Sequence, residues 1–131
     1  TDRLCAWVPA GHALARRRRV SFAELTRWPL VLTGRDSSVR QLIERNAERQ
    51  RLPMQIAQEA TYMSTAIGMV TAGLGVGILP EAAIDASAPS SPRKVEIHTP
   101  VLRRTLVILS PRGRALSPAA ERLLDAIEEV K

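Results

Sequence analysis

Apolar residues along this chain recur at two spacings, every second position in some stretches and every third or fourth in others, and the two kinds of stretch alternate. That alternation is the pattern of an α/β fold. "LCAWVP" is a mostly apolar run closed by Pro9 and predicts a buried strand, with "GHALARRRR" as the loop after it. In "SFAEL", Ser21 and Glu24 have capping-box spacing, so that hydroxyl and carboxylate would each satisfy a free N–H at the start of a short helix. "PLVLTG" predicts a strand ending at Gly34, "RDSS" a turn, and Val39, Leu42, Ile43 and Ala47 a helix. "MQIAQEA" alternates as a strand, and Met63, Ala66, Ile67 and Val70 form one helical stripe.

The glycines of "TAGLGVGILP" raise the question of a nucleotide-binding loop. In a dinucleotide fingerprint the glycines follow a strand and open a helix. Here the helix precedes them. Gly73 therefore reads as a left-handed C-cap, and "VGILP" as a buried strand ended by Pro80. A helical turn over Glu81 to Ile84 and a Ser/Pro/Ala connector follow. "KVEIHTPV" and "RRTLVILSP" predict two more strands, the second buried through Leu106 to Leu109. Ser117 and Pro118 then open an amphipathic helix striped by Ala120, Leu123, Leu124, Ile127 and Val130.

A length of 131 residues, 45% of them hydrophobic, is one ordinary domain's worth of core. Aromatics make up 3%, too few for a base-stacking surface. Cys5 has no cysteine partner, which excludes an intrachain disulfide and fits a reducing cytoplasm. No apolar run is long enough to span a membrane and no signal peptide is visible, so the expected location is cytoplasmic. The formal net charge of +6 rests on an Arg-rich composition, with Arg16 to Arg19 consecutive. With no groove-reading helix beside it, that run reads as a solvated loop.

Catalytic chemistry finds no support. No Gly-x-Ser-x-Gly elbow presents a nucleophile, and His12 and His98 are isolated, without the companions a metal site needs. Glu44 and Glu48, with Arg40, Arg45 and Arg49 around them, read as ion pairs on a wet helix face. No enzyme activity, cofactor or metal is expected.

"VPAGHALA", "FAELTRWPLVL" leading to "GRDSSVRQLIE", "MVTAGLGVGILPEAA" and "LRRTLVILSPRGRALSPAAERLLDAI" together resemble the effector-binding domain of LysR-type transcriptional regulators over almost the whole chain. The resemblance implies an α/β fold like the type 2 periplasmic binding proteins, two subdomains joined by two crossover strands with a small effector between them. Residues 1–8 would then be one crossover strand, 9–100 the second subdomain, and 101–131 the return crossover and a helix of the first subdomain. Leu4 to Val8 and Leu106 to Leu109, without most of that first subdomain, would be left uncovered. The winged helix-turn-helix would also lie outside these residues, so DNA would be a partner only through it, and side-by-side dimers are implied.

The family's effector cleft carries over to Thr33, Gly34, Ser37 and Ser38 on one turn and to Thr61, Tyr62, Met63 and Ser64 on another. Physical chemistry favours the same turns. Both lie where a strand gives way to a helix, so free N–H groups and hydroxyls are available to a small, anionic effector. Each hydroxyl has a plainer reading as an N-cap, and Met63 a plainer one as core. A solute-binding protein of a transport system, with the same fold, is the alternative; no membrane partner is expected.

Overall fold

The computed structural model describes residues 1–130. Strands β1 (Asp2–Val8), β2 (Arg19–Ser21), β3 (Leu30–Thr33), β4 (Ile56–Ala60), β5 (Val76–Pro80) and β6 (Arg93–His98) make one sheet in the order β2-β6-β1-β5-β3-β4, and β7 (Arg103–Arg104) pairs with the start of β1. Helices α1 (Phe22–Leu25) and α2 (Ser38–Gln50) cover one face, α3 (Met63–Thr71) the other, and α4 (Pro118–Glu129) ends the chain.

Side-chain alternation explains the two cores. Leu4, Ala6 and Val8 of β1, with Leu30, Leu32, Val76, Ile78, Val95 and Ile97, pack against Phe22 and Leu25 of α1 and Val39, Ile43 and Ala47 of α2. Cys5, Trp7, Val31 and Leu79 point the opposite way, onto Ala66 and Val70 of α3. A strand covered on both faces needs apolar residues at every position, which is why "LCAWV" shows no alternation. Burial pushes the Cys5 thiol up to about 11, so it packs as a small apolar group.

Helix ends match the sequence closely. Ser21, Ser37 and Ser117 each accept a bond from the backbone N–H three residues on. Only half of the capping box at Ser21 forms, because the Glu24 carboxylate is held by Arg17 instead. Gly73 has φ +81°, its N–H bonds Val70 O and the Leu74 N–H bonds Met69 O, a Schellman closure of α3. The glycines after it serve packing: a Cβ on Gly75 would lie 2.8 Å from Pro29 O, and one on Gly77 2.7 Å from Val70 Cγ2.

Several expectations change, among them the strand over "KVEIHTPV", which ends at His98. The loop after β1 ends at Arg18, and Arg19–Ser21 joins the sheet parallel to β6. Met54 and Gln55 lie outside β4. Leu4 to Val8 are buried within the sheet, as their unbroken apolar run predicts, and not left uncovered as the family's layout implies. Arg40 is 1% exposed, not on a wet face. Leu106 to Leu109 are neither strand nor buried, at 62%, 71%, 54% and 89% exposure. Burial of an apolar run requires a facing surface, and none of the described elements supplies one there. Helix α4 buries no residue for the same reason.

Candidate functional site

Strands β3 and β4 are parallel neighbours with Thr33 opposite Ala60, and the Gly34 N–H bonds Ala60 O at 3.1 Å. The α2 and α3 starts that follow them therefore open at the same end of the sheet. Strand β5 lies on the other side of β3, also parallel. The chain thus leaves β3 in one direction through α2 and returns past it through α3, and the carboxyl end of such a strand is where ligands of open α/β sheets bind.

The first turn is internally bonded. Thr33 is buried, and its Oγ1 lies 2.7 Å from Ser37 Oγ, which also accepts the Arg40 N–H at 3.0 Å. The plain N-cap reading of Ser37 is thus realised. Gly34 is half-buried, while Arg35 and Asp36 point to solvent. Ser38 is exposed and accepts a bond at 3.0 Å from Arg104 Nη1. The second turn is open. Tyr62 stands at the N-cap of α3 without a side-chain capping bond and is 71% exposed. Thr61 and Ser64 are exposed, and Met63 packs half-buried against the α3 core, as its plainer reading expected. A helix start carries partial positive charge and N–H groups without intrahelical partners. The α3 start leaves that potential available.

Arg40 ties the first turn to the sheet. From the first turn of α2 it donates Nη1 to Thr33 O at 3.0 Å, pairs with Glu59 of β4, and donates Nε to Glu44 at 2.9 Å. One guanidinium thereby joins β3, β4 and α2, which its planar fork permits and an ammonium would not. Sequence reasoning missed this role, although a signal existed: Arg40 stands three residues before Ile43 and seven before Ala47, on the buried face. Glu59, Arg104 and Asp2 carried no comparable signal, since residues 2, 38 and 104 meet only in the fold.

The isolated histidines have structural roles. His12 Nδ1 accepts the Leu14 N–H at 3.0 Å and its ring lies 4.6 Å from Trp28, with burial lowering its pKa. His98 Nδ1 meets Thr99 Oγ1 at 2.9 Å. Among the described residues no His, Cys, Asp and Glu cluster with metal-binding geometry occurs.

A family model described as the LysR substrate binding domain matches residues 1–131. The chain belongs to this family. It is 35% identical over 111 residues to the HTH-type transcriptional regulator YbhD of Escherichia coli, covering 85% of this chain and 35% of that protein. It is 28% identical over 120 residues to the transcriptional dual regulator GltC of Bacillus subtilis, covering 92% and 40%. This member of the LysR family thus spans well under half the length of these curated relatives. Its fold matches the crystal structure of HinK, a LysR family transcriptional regulator from Pseudomonas aeruginosa, with TM-score 0.81 at 24% identity over 98% of this chain and 44% of that one. The effector binding domain of QuiR, solved in complex with shikimate, matches with TM-score 0.72 at 19% identity over 95% and 59%. The fold is therefore that of LysR effector-binding domains, and the transport alternative is not favoured.

Proposed function

We propose that this LysR-family chain senses a small anionic molecule held between the turn Thr33–Ser38 and the turn Thr61–Ser64, and that binding controls DNA recognition by a helix-turn-helix outside these residues. The observation that supports the reading is the parallel pairing of β3 and β4, which sets the two helix starts at the same end of the sheet. The structure of QuiR with shikimate supports a small-molecule ligand for this fold. Within the site, Ser38, Thr61, Ser64 and the Tyr62 hydroxyl are the groups offered to a ligand, whereas Thr33 and Ser37 hold the first turn in shape.

The domain division goes with this reading: residues 1–8 and 101–131 are the connections to a first subdomain, and 9–100 the second. The regulator works in the cytoplasm and as a dimer or higher oligomer. DNA is not read by the Arg16–Arg19 segment, whose Arg17 is paired with Glu24 and whose Arg19 belongs to β2. No helix among the described residues is long and apolar enough to cross a membrane.

Calorimetric titration of the intact regulator with a panel of small carboxylates and phosphorylated metabolites tests the assignment. Saturable binding that weakens in Thr61→Ala and Ser64→Ala is the expected result. Binding unaffected by both substitutions would move the site elsewhere in the protein.

A further inference from the structure

The Arg104 side chain reaches in two directions. Its Nε donates to Asp2 Oδ2 at 2.9 Å and its Nη2 pairs with the same oxygen at 2.8 Å, while Nη1 donates to Ser38 Oγ at 3.0 Å. Asp2 and Arg104 are also register partners across the short β1–β7 ladder, next to Arg3 and Arg103, and the Leu4 N–H bonds Leu102 O at 2.9 Å. Strand β7 lies off the main strand path and is joined to it through that ladder. A single planar guanidinium thus ties the first residue of α2 to the point where the chain enters and leaves the sheet.

We infer that Arg104 is a positioning residue that couples the state of the Ser38 hydroxyl to the β1–β7 strand pair. The guanidinium is rigid, so turning Nη1 toward or away from Ser38 rotates the plane that also carries the two bonds to Asp2. Displacing the Ser38 hydroxyl therefore loosens a ladder whose two strands lie far from it along the chain, on either side in sequence. The regulatory meaning of the coupling rests on the effector reading above, because a ligand taking the Ser38 hydroxyl would act through this path.

Peptide-resolved amide hydrogen exchange on the intact protein, with no ligand added, tests the coupling. Ser38→Ala is expected to speed exchange at residues 2–4 and 102–104 by about fivefold, the loss of one charge-assisted bond at a partly exposed position. Ser38→Thr, which keeps the hydroxyl, should restore protection. Arg104→Lys, whose ammonium cannot hold Asp2 and Ser38 together, should behave as Ser38→Ala does, with thermal melting checking that each variant is folded. In an Arg104→Gln background, Ser38→Ala should add nothing. The inference is overturned if Ser38→Ala leaves the strand pair unchanged, or speeds it equally with Arg104 absent. Either result leaves the effector reading standing, and failure to find an effector would leave this coupling intact.

Discussion

Thr33 and Ser37 share a hydrogen bond of 2.7 Å between their hydroxyl oxygens, and Ser37 Oγ simultaneously caps α2 through the Arg40 N–H. Both hydroxyls are committed to holding the turn. Ser37→Ala is therefore expected to lower folding stability by about 1 kcal/mol, the usual cost of losing such a cap. Thr61→Ala at the exposed second turn should stay within about 0.5 kcal/mol of the parent. Ligand affinity should respond in the opposite order, with Thr61→Ala weakening it by about fivefold, one hydrogen bond's worth. Urea unfolding and titration on the same two variants separate the roles.

Helices α2 and α3 close with the same pair of bonds, yet one uses Arg51 at φ 56° and the other Gly73 at φ +81°. A side chain in the left-handed region is strained. Arg51→Gly should stabilise the protein by about 0.5 kcal/mol, the relief of strain exceeding the added freedom of the unfolded chain, while Gly73→Ala should cost about 1 kcal/mol. Gly77→Ala is expected to cost about 1–3 kcal/mol for a different reason, overpacking against Val70. Thermal melts that rank these three variants otherwise would contradict the backbone account.

Glu81 is held by Arg3 and Lys94, at 2.9 Å and 2.7 Å, and these bonds lower its pKa from 4.5 to about 2. A depressed carboxylate contributes stability that is fully present above the unfolded value and is lost as pH falls toward the folded one. The contribution should therefore disappear between about pH 4.5 and pH 2, and Glu81→Gln should flatten the stability profile over that interval. Its half-exposed position keeps the effect modest. Melting temperatures of both proteins across that range provide the measurement, and parallel profiles would show that Glu81 is not the group responsible.

Leu106 to Leu109 are exposed at 54% or more, and the α4 stripe adds Leu123 at 63%. Exposed apolar residues in such numbers recruit a partner. The 131 residues by themselves are expected to self-associate at micromolar concentrations, and Val107→Asp with Leu109→Asp should return them to monomers. Light scattering that finds the parent already monomeric would show that this surface does not drive association.

Much of the architecture was legible because local rules and tertiary contacts agree. The strand-helix-strand order from Leu30 to Ala60, the serine caps and the closure at Gly73 each follow from backbone requirements that neighbouring residues satisfy. The continuous apolar run of β1 announced its own burial. Arg40 was misread because a charged residue among Glu44, Glu48 and Arg45 looks solvated, and only its two carboxylates and the Thr33 carbonyl make burial affordable.

From sequence alone came the kind of most elements, the serine caps, the closure at Gly73 and the family resemblance, because these depend on residues within a helical turn or a strand repeat of one another. The folded chain alone reveals that the two turns share one end of the sheet, that Arg40 is buried behind the first of them, that Arg104 joins Ser38 to Asp2, and that Leu106 to Leu109 stay exposed. The difference comes from distance along the chain. Burial and ion pairing depend on what faces a residue across space, and for residues 2, 38 and 104 that neighbour is set by strand order, not by local pattern.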